Sequence, residues 1–442
     1  MLADIFLTCL VLAVLVPVAV VAIECLLAVL LATNQRDLHH VAAKRPLLAV
    51  LIPAHNEEAG IAQTLAAIVH QLRQGDRLVV VADNCADRTA DIARDAGAEV
   101  IERVDDERRG KGYALDAGIR YLAASGSGQI AGQSKCVGVP TPRAGSPCHE
   151  ILPVGDDSQN DGDTPADRPE VLVVVDADCD CQSGSLAELA AGVAQTGRTC
   201  QAAYLMETPP EPSPATRVSA FAFRVKNLVR PLGLHRLGLP CLLTGTGMAF
   251  PWASISGAAL ASGNIVEDMQ LGLDLAIAGH PPRFCPGATV VGRLPAQACT
   301  ADTQRTRWEH GHLQTMLTQV PRLIGRGVTT FSPRLLGLAL ELAVPPLSLL
   351  VFAWIVLSAA AVAGAFVAGW RLPLILAIAG WILLSAAIGS AWWRFARDIL
   401  PLRQMLFIPV YMLGKIPRFV AFVTRRQREW IRTAREVEKV DS

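Results

Sequence analysis

Apolar positions in this chain gather at its two ends, while the middle alternates between short apolar runs and polar breaks. Residues 5–32 are almost wholly apolar, interrupted by Pro17 and Glu24. A helix of that length crosses a hydrocarbon layer of about 30 Å. The run is too long, and lacks the basic leading region, for a cleaved signal sequence. From residue 335 the chain turns apolar again. Residues 340–367 and 372–392 each reach spanning length, and the Ala368-Gly369-Trp370-Arg371 link makes them a hairpin. Pro345-Pro346 is expected to kink or break the first of the pair. Residues 405–423 are apolar but carry Pro409, Lys415 and Pro417, and read as interfacial or re-entrant.

Between the ends, buried-strand runs alternate with helical spacing. Strands are expected at 46–52, 77–82, 98–101 and 171–175, with an edge strand at 201–207. Helices are expected at 59–72, 89–96, 186–195 and 216–229, with further ones opening at Lys111 and Glu267 and around Gln304. The βαβαβ order at the start predicts a doubly wound α/β unit. Residues 125–170 break the pattern. They are rich in Gly, Ser, Pro, Gln and Asp, have no apolar period, and read as a disordered insertion. The expected organisation is a membrane helix at 1–34 and an α/β domain at 46–310. An interfacial helix at 311–334, a membrane hairpin at 335–395 and an interfacial segment with a basic tail at 400–442 follow.

Charge orients these segments. Arg36, His39, His40, Lys44 and Arg45 follow the first span, and Arg394, Arg397 and Arg403 follow the third. By the positive-inside rule the α/β domain and the carboxyl end face the cytoplasm and Met1 lies outside. The 442 residues are 51% hydrophobic with a formal net charge of zero, so no global field favours nucleic acid. The 11 cysteines are odd in number and show no repeated pair spacing, which suits a reducing compartment. Cys179-Asp180-Cys181 resembles a metal pair, but no second pair lies at zinc spacing. Arg- and Ala-rich, Lys-poor usage points to a bacterial inner membrane.

The chemistry concentrates at strand ends. The run from Val171 stops at Asp176 and Asp178. In an extended chain both carboxylates point the same way, where a hard divalent cation would relieve their repulsion. The plain alternative is a strand followed by a polar turn. Glu57 and Asp83 also close strands. Each alone could be a cap or turn residue, but three at successive strand ends suggest a nucleotide cleft. Lys111-Gly112 opens a helix whose N–H groups and ammonium suit phosphate, without the spacing of a Walker loop. Thr244-Gly245-Thr246-Gly247 is either a tight turn or a place where a ligand nears the backbone. Glu267 and Asp268 either serve a helix dipole or include a general base. Gln304, Arg307 and Trp308 share a helix face, on which Trp308 could stack on a ring or sugar.

Taken together, Pro53-Ala54-His55-Asn56-Glu57-Glu58, Asp83, Lys111-Gly112, Asp176-Ala177-Asp178, Glu267-Asp268 and Gln304-x-x-Arg307-Trp308 resemble, in order, the motifs of membrane-embedded family 2 glycosyltransferases. These are related to cellulose, chitin and hyaluronan synthases. The resemblance spans roughly residues 48–308. It implies a GT-A fold, a Rossmann-like doubly wound mixed sheet in the cytoplasm, carried by transmembrane helices. It also implies a UDP-sugar donor. Ala54, Glu57 and Asp83 would hold the uridine and Lys111 would lie by the pyrophosphate. Asp176 and Asp178 would bind Mg2+ or Mn2+, with Asp176 also near the nucleotide-sugar. Asp268 would be the catalytic base. Gln304, Arg307 and Trp308 would hold the pyrophosphate and the acceptor end, with Glu267 and Thr246 on the acceptor side. The Gly-Thr-Gly wording of the 244–247 loop and the insertion depart from that family.

The expected reaction is inverting transfer to a polysaccharide or lipid-linked acceptor, with a β-linkage, for exopolysaccharide or glycolipid synthesis. Three spans are few for a polar tunnel. Single transfer to a lipid, or an oligomer or secretion partner for a polymer, follows from that count. The competing readings are a non-catalytic membrane scaffold whose GT-A domain senses a nucleotide, and a nucleotidyltransferase. The second leaves Glu267-Asp268 and the Gln-x-x-Arg-Trp motif unexplained.

Overall fold

The computed structural model describes residues 2–30, 45–125, 168–258, 260, 267–293, 298–405, 407, 408, 411 and 414, with the side chains of 298–307 excepted. The expected 125–170 insertion, save its two ends, and most of 405–423 lie outside the described residues. The chain forms two compact units, Thr33–Tyr204 with Leu242–Gly292, and Met1–Ala32 with Leu205–Cys241 and Arg293–Ser442.

The first unit is built on an eight-stranded sheet. Its strands are β1 (Leu48–Ala54), β2 (Arg77–Asp83), β3 (Glu99–Arg103), β4 (Val171–Val174), β5 (Cys179–Cys181), β6 (Cys200–Glu207), β7 (Met248–Pro251) and β8 (Arg283–Arg293). Their order is β3-β2-β1-β4-β7-β6-β8-β5. The pairs β3–β2, β2–β1 and β1–β4 are parallel. From β4 onward, β4–β7, β7–β6 and β5–β8 pair antiparallel. The sheet is therefore the expected doubly wound mixed one. Runs such as Leu48–Ile52 and Leu78–Val81 are buried on both faces, which explains why they read as continuous apolar stretches. The Lys111–Ser125 helix covers one face of the parallel half, with Leu115 and Leu122 in the same core as Leu51, Val79 and Leu172. Gly118 makes that close approach possible, since a Cβ there would come within 2.3 Å of Leu51.

Four differences from expectation concern the antiparallel half, the first being that β7, Met248–Pro251, was not expected as a strand. The strand at 201–207 is not an edge strand; β6 lies between β7 and β8. β8 was not expected, because Pro286 and Gly287 interrupt its alternation. β5 was not expected either, being three residues long.

Among the described residues, the second unit contains three helices long and apolar enough to cross a membrane: Leu2–Leu30, Leu347–Ala368 and Arg371–Phe395. They match the three expected spans. The first packs against both others. Trp354 is fully buried against Gly380, where any Cβ would overlap its ring. Pro345-Pro346 does break the chain, leaving a separate Pro333–Leu342 helix before the span at Leu347. The expected 216–229 helix is longer. Pro214–Arg224 continues through a π turn, Val225–Val229, into Arg230–Arg236. The Gln-x-x-Arg-Trp motif lies in a 32-residue helix, Ala298–Thr329, that also takes up most of the expected 311–334 segment.

Glu24, met in the sequence only as an interruption of an apolar run, has a structural explanation. Its carboxylate accepts from Arg230 Nε at 2.6 Å, and Arg230 also donates to Glu341 at 2.6 Å. All three side chains are buried. Gly233 lets the Arg230 helix reach the Glu24 backbone, since a Cβ there would sit 2.1 Å from the Glu24 carbonyl oxygen. A charge in such surroundings is tolerated only when paired. Removing one partner strands the others and typically costs about 3–5 kcal/mol. We therefore expect Arg230→Met to lower the thermal midpoint of the purified protein, followed by tryptophan fluorescence. The triple change Glu24→Gln, Arg230→Met, Glu341→Gln should recover part of that loss. A triple variant as unstable as Arg230→Met alone would contradict the ion-triad account.

Candidate active site

The strand ends of the parallel half carry the candidate residues of the sheet unit. β1 ends at Ala54 and β2 at Asp83, and the loops that follow are tied together. Asn56 and Asn84 take left-handed backbone at φ 53° and 52°, a conformation asparagine tolerates. Asn56 Oδ1 accepts from Ala86 N–H at 2.8 Å, and the Glu57 N–H donates to Thr89 Oγ1 at 2.8 Å. His55 Nδ1 lies 2.6 Å from the Asp83 carbonyl oxygen. Asp83 itself is buried and accepts from Arg103 at 2.6 Å. Burial raises its pKa, and the Arg103 guanidinium works against that rise. Arg103, at the end of β3, was missed by sequence reasoning; a basic residue closing a short strand carries no motif of its own.

Lys111 opens its helix just after Gly110, whose φ of +134° only glycine adopts readily. Its ammonium forms an ion pair with Asp176 and donates to the Gly245 carbonyl at 2.7 Å. Burial would lower the Lys111 pKa, but the Asp176 and Asp268 carboxylates outweigh it, and the net shift is upward. The amine is therefore a fixed positive charge. Asp268 stands beside the same loop: a Cβ on Gly245 would lie 3.0 Å from Asp268 Oδ2 and 3.5 Å from Lys111 Nζ. Burial raises the Asp268 pKa.

Asp176 and Asp178 do converge, but not by strand alternation. β4 stops at Val174, and a turn closed by Cys179 N–H on the Asp176 carbonyl, 3.1 Å, brings the carboxylates together. Donor atoms of Asp176, Asp178 and Cys179 all lie within 4.8 Å of one another. Burial and the neighbouring Asp176 charge push Asp178 up to about 6. Burial, and then the Asp178 and Asp176 charges, raise the Cys179 thiol above its ordinary value. The two carboxylates supply hard oxygen donors, which suit Mg2+ or Mn2+.

Thr246 departs from expectation. It is fully buried, and its hydroxyl accepts from the Asp176 N–H at 3.1 Å. It supports the carboxylate turn from behind instead of facing an acceptor. Gln201 braces the same loop, donating to the Thr246 carbonyl and accepting from Thr244 N–H. The helix N-terminus at Gly112 also differs. Its N–H is directed at Glu267, and a Cβ on Gly112 would come within 2.5 Å of that carboxylate. Gln304 and Arg307 have side chains outside the described residues. Trp308, in the membrane-helix unit, lies 6.2 Å from Phe223 between ring centres.

Comparison with known proteins gives consistent results. A profile described as Glycosyltransferase like family 2 matches residues 45–311. The probable glycosyltransferase YdaM of Bacillus subtilis (strain 168) is 43% identical over 81 residues, 16% of this chain and 19% of that protein. The 4,4'-diaponeurosporenoate glycosyltransferase of Staphylococcus aureus (strain USA300) is 36% identical over 81 residues, 18% of this chain and 21% of that protein. The matched part thus spans about a fifth of the length of these curated relatives. Among solved structures, the mannosyltransferase PcManGT from Pyrobaculum calidifontis, in complex with GDP-Man and Mn2+, covers 88% of this chain and 99% of its own at 17% identity and a TM-score of 0.45.

Glu267 supplies a pH test of this geometry. Burial pushes its carboxyl up to about 8 from an ordinary 4.5. Between those values the folded state holds a proton that the unfolded chain has lost. The stabilisation is fully present below about 4.5 and is lost as the pH rises through about 8. Without divalent cations, the melting temperature of the native protein should fall across this window more steeply than that of Glu267→Gln. Parallel curves for the two proteins would show that Glu267 ionises normally.

Proposed function

The chain belongs to glycosyltransferase family 2, and from that premise we propose that it moves a sugar from a UDP-sugar to a polysaccharide or lipid-linked acceptor with inversion at C1. The product carries a β-linkage and feeds exopolysaccharide or glycolipid synthesis. What most supports this reading is the Lys111 ammonium, paired with Asp176 and flanked by Asp268 beside the same Gly245. A cation, a carboxylate pair and a separate buried carboxylate are the groups that such a displacement requires.

In the proposed assignment, residues 46–310 form the catalytic domain. Glu57, Asp83 and the Ala54 backbone receive the uridine, with Arg103 holding Asp83 in place. Asp176 and Asp178 hold Mg2+ or Mn2+, which when bound offsets the negative charge that grows on the departing diphosphate. Lys111 adds a fixed positive charge on the same side. Asp268 takes the proton of the acceptor hydroxyl as that oxygen attacks the face of C1 opposite the leaving group. Its raised pKa suits this task, because a more basic carboxylate accepts a proton more readily near neutral pH. Glu267 stands one residue away on the acceptor side. Gln304, Arg307 and Trp308 keep their assignment to the pyrophosphate and acceptor end on the strength of their motif. The basic residues flanking the apolar helices support a cytoplasmic catalytic domain at a bacterial inner membrane. Polymer export would call for an oligomer or a secretion partner, since the three spans among the described residues are few for a polar tunnel.

Asp268→Asn tests the central assignment. It should bind UDP as the native protein does, yet transfer sugar about 10²–10⁴-fold more slowly, the usual worth of a general base. UDP release and product formation with Mn2+ measure this directly. Native transfer rates in that variant would eliminate Asp268 as the base. Asp176→Asn should abolish the response of UDP release to added Mn2+.

A further inference from the structure

The carboxyl half of the Ala298–Thr329 helix carries an apolar stripe on its outside. Leu317, Pro321, Ile324 and Val328 stand at i, i+4, i+7 and i+11, one side of a helix, and all four are exposed. The helix also has a separate buried flank. Leu313 and Leu323 are buried, and Gly327 lets the Pro333–Leu342 helix close in, since a Cβ there would lie 2.8 Å from Leu336. The stripe is therefore a second apolar face. Phe331 extends it past the helix end. It is 90% exposed and holds φ at 49°, a backbone that a bulky residue rarely takes. The corner around it is fixed. Ser332 donates its N–H to the Gly327 carbonyl at 2.9 Å, and its hydroxyl accepts from the Leu335 N–H of the next helix. The Phe331 ring is thus held outward.

Charge and position indicate what covers this face. Between Glu309 and Glu341 the sequence has no acid and three strong bases, Arg322, Arg326 and Arg334. At about 100° per residue, Arg322 and Arg326 fall on the side of the helix away from the stripe. An apolar face backed by arginines is the pattern of a helix lying in a membrane interface. Position agrees with charge. The Pro333–Leu342 helix ends just before the membrane-length helix that starts at Leu347. Its 10 residues put the Phe331 corner within about 15 Å of that point. Glu341 is also tied through Arg230 to Glu24, in the last turns of the Leu2–Leu30 helix. The corner therefore lies near the level at which two membrane-length helices end. A second copy of the chain fits this face less well. A two-fold contact would bring like arginines together, with no acid in the stretch to answer them.

We propose that this face lies in the headgroup–acyl boundary of an anionic lipid leaflet, with Ile324, Val328 and Phe331 against the acyl chains and Arg322, Arg326 and Arg334 among the headgroups. Burying the stripe there removes apolar surface from water, and the outward Phe331 ring becomes an anchor. Anionic headgroups supply the negative charge that the stretch itself lacks. The inference rests on the membrane-length helices and not on the sugar-transfer reading.

The test places p-benzoylphenylalanine in place of Ile324, Val328 or Phe331 in the full chain, held in nanodiscs of phosphatidylcholine with a minor share of phosphatidylglycerol. Irradiation should give lipid adducts at all three positions, read by mass spectrometry. The same probe in place of Arg326, on the polar side, should give few. Among the adducts at position 331, phosphatidylglycerol should be enriched about fivefold over its share in the disc, the worth of one arginine at an anionic surface. Arg322→Gln, Arg326→Gln and Arg334→Gln combined should return it to that share. Covalent dimers in place of lipid adducts would assign the face to a second copy, and no adducts at any of the three positions would leave it facing water. Either result overturns the proposal, and enrichment unchanged in the triple variant overturns its anionic half. Melting curves identify any variant that fails to fold; the remaining probe positions, and the single arginine changes, then decide. No readout involves sugar transfer, so each result leaves that reading to its own tests.

Discussion

A single ammonium, that of Lys111, stands between carboxylates that would otherwise repel one another. Asp176 is its ion-pair partner, Asp268 acts on it from the start of the Glu267–Ile277 helix, and the Gly245 carbonyl takes a third donor position. The surrounding backbone is shaped to permit this. Gly245 keeps a positive φ and leaves room for Asp268, and Gly112 leaves room for Glu267. Burial raises the pKa of Asp178, Glu267 and Asp268 alike. The crevice is thus poised against negative charge, and added positive charge relieves it. That is the electrostatic condition in which a cation and a phosphorylated leaving group bind together.

The same rule governs the membrane-helix unit, where polar groups have little water to turn to. Arg230 ties Glu24 and Glu341 into one buried set. His312 serves the Val344 carbonyl where two prolines break the helix. Trp381 donates to Ser358 between two of the apolar helices. In each case a polar atom inside an apolar shell is answered by another protein atom.

Periodicity and composition alone were enough to place the three apolar helices, the parallel strands β1 to β4 and the break at Pro345-Pro346. These features depend on local burial, and burial on both faces or all round leaves an unmistakable apolar run. The strand-end positions of Glu57, Asp83 and Asp176 followed from the same runs, because a buried strand must stop where charge begins. β5 and β8 were not legible, since one is too short and the other is interrupted by Pro286 and Gly287.

Other features needed the folded chain because they join residues far apart in sequence. Arg103 on Asp83, Gln201 behind the Gly-Thr-Gly loop, and Arg230 on Glu24 and Glu341 are of this kind. Thr246 shows the limit well: its motif position suggested a ligand contact, and its burial turned it into a support for Asp176. The turn that joins Asp176 to Asp178 achieves what strand alternation was expected to do. Sequence by itself determined which segments are buried and which residue types close them, because those depend on hydrophobic pattern. Only tertiary structure decided which charges meet, because a side chain's partner is set by the strand order and helix packing that bring distant residues within a few ångströms.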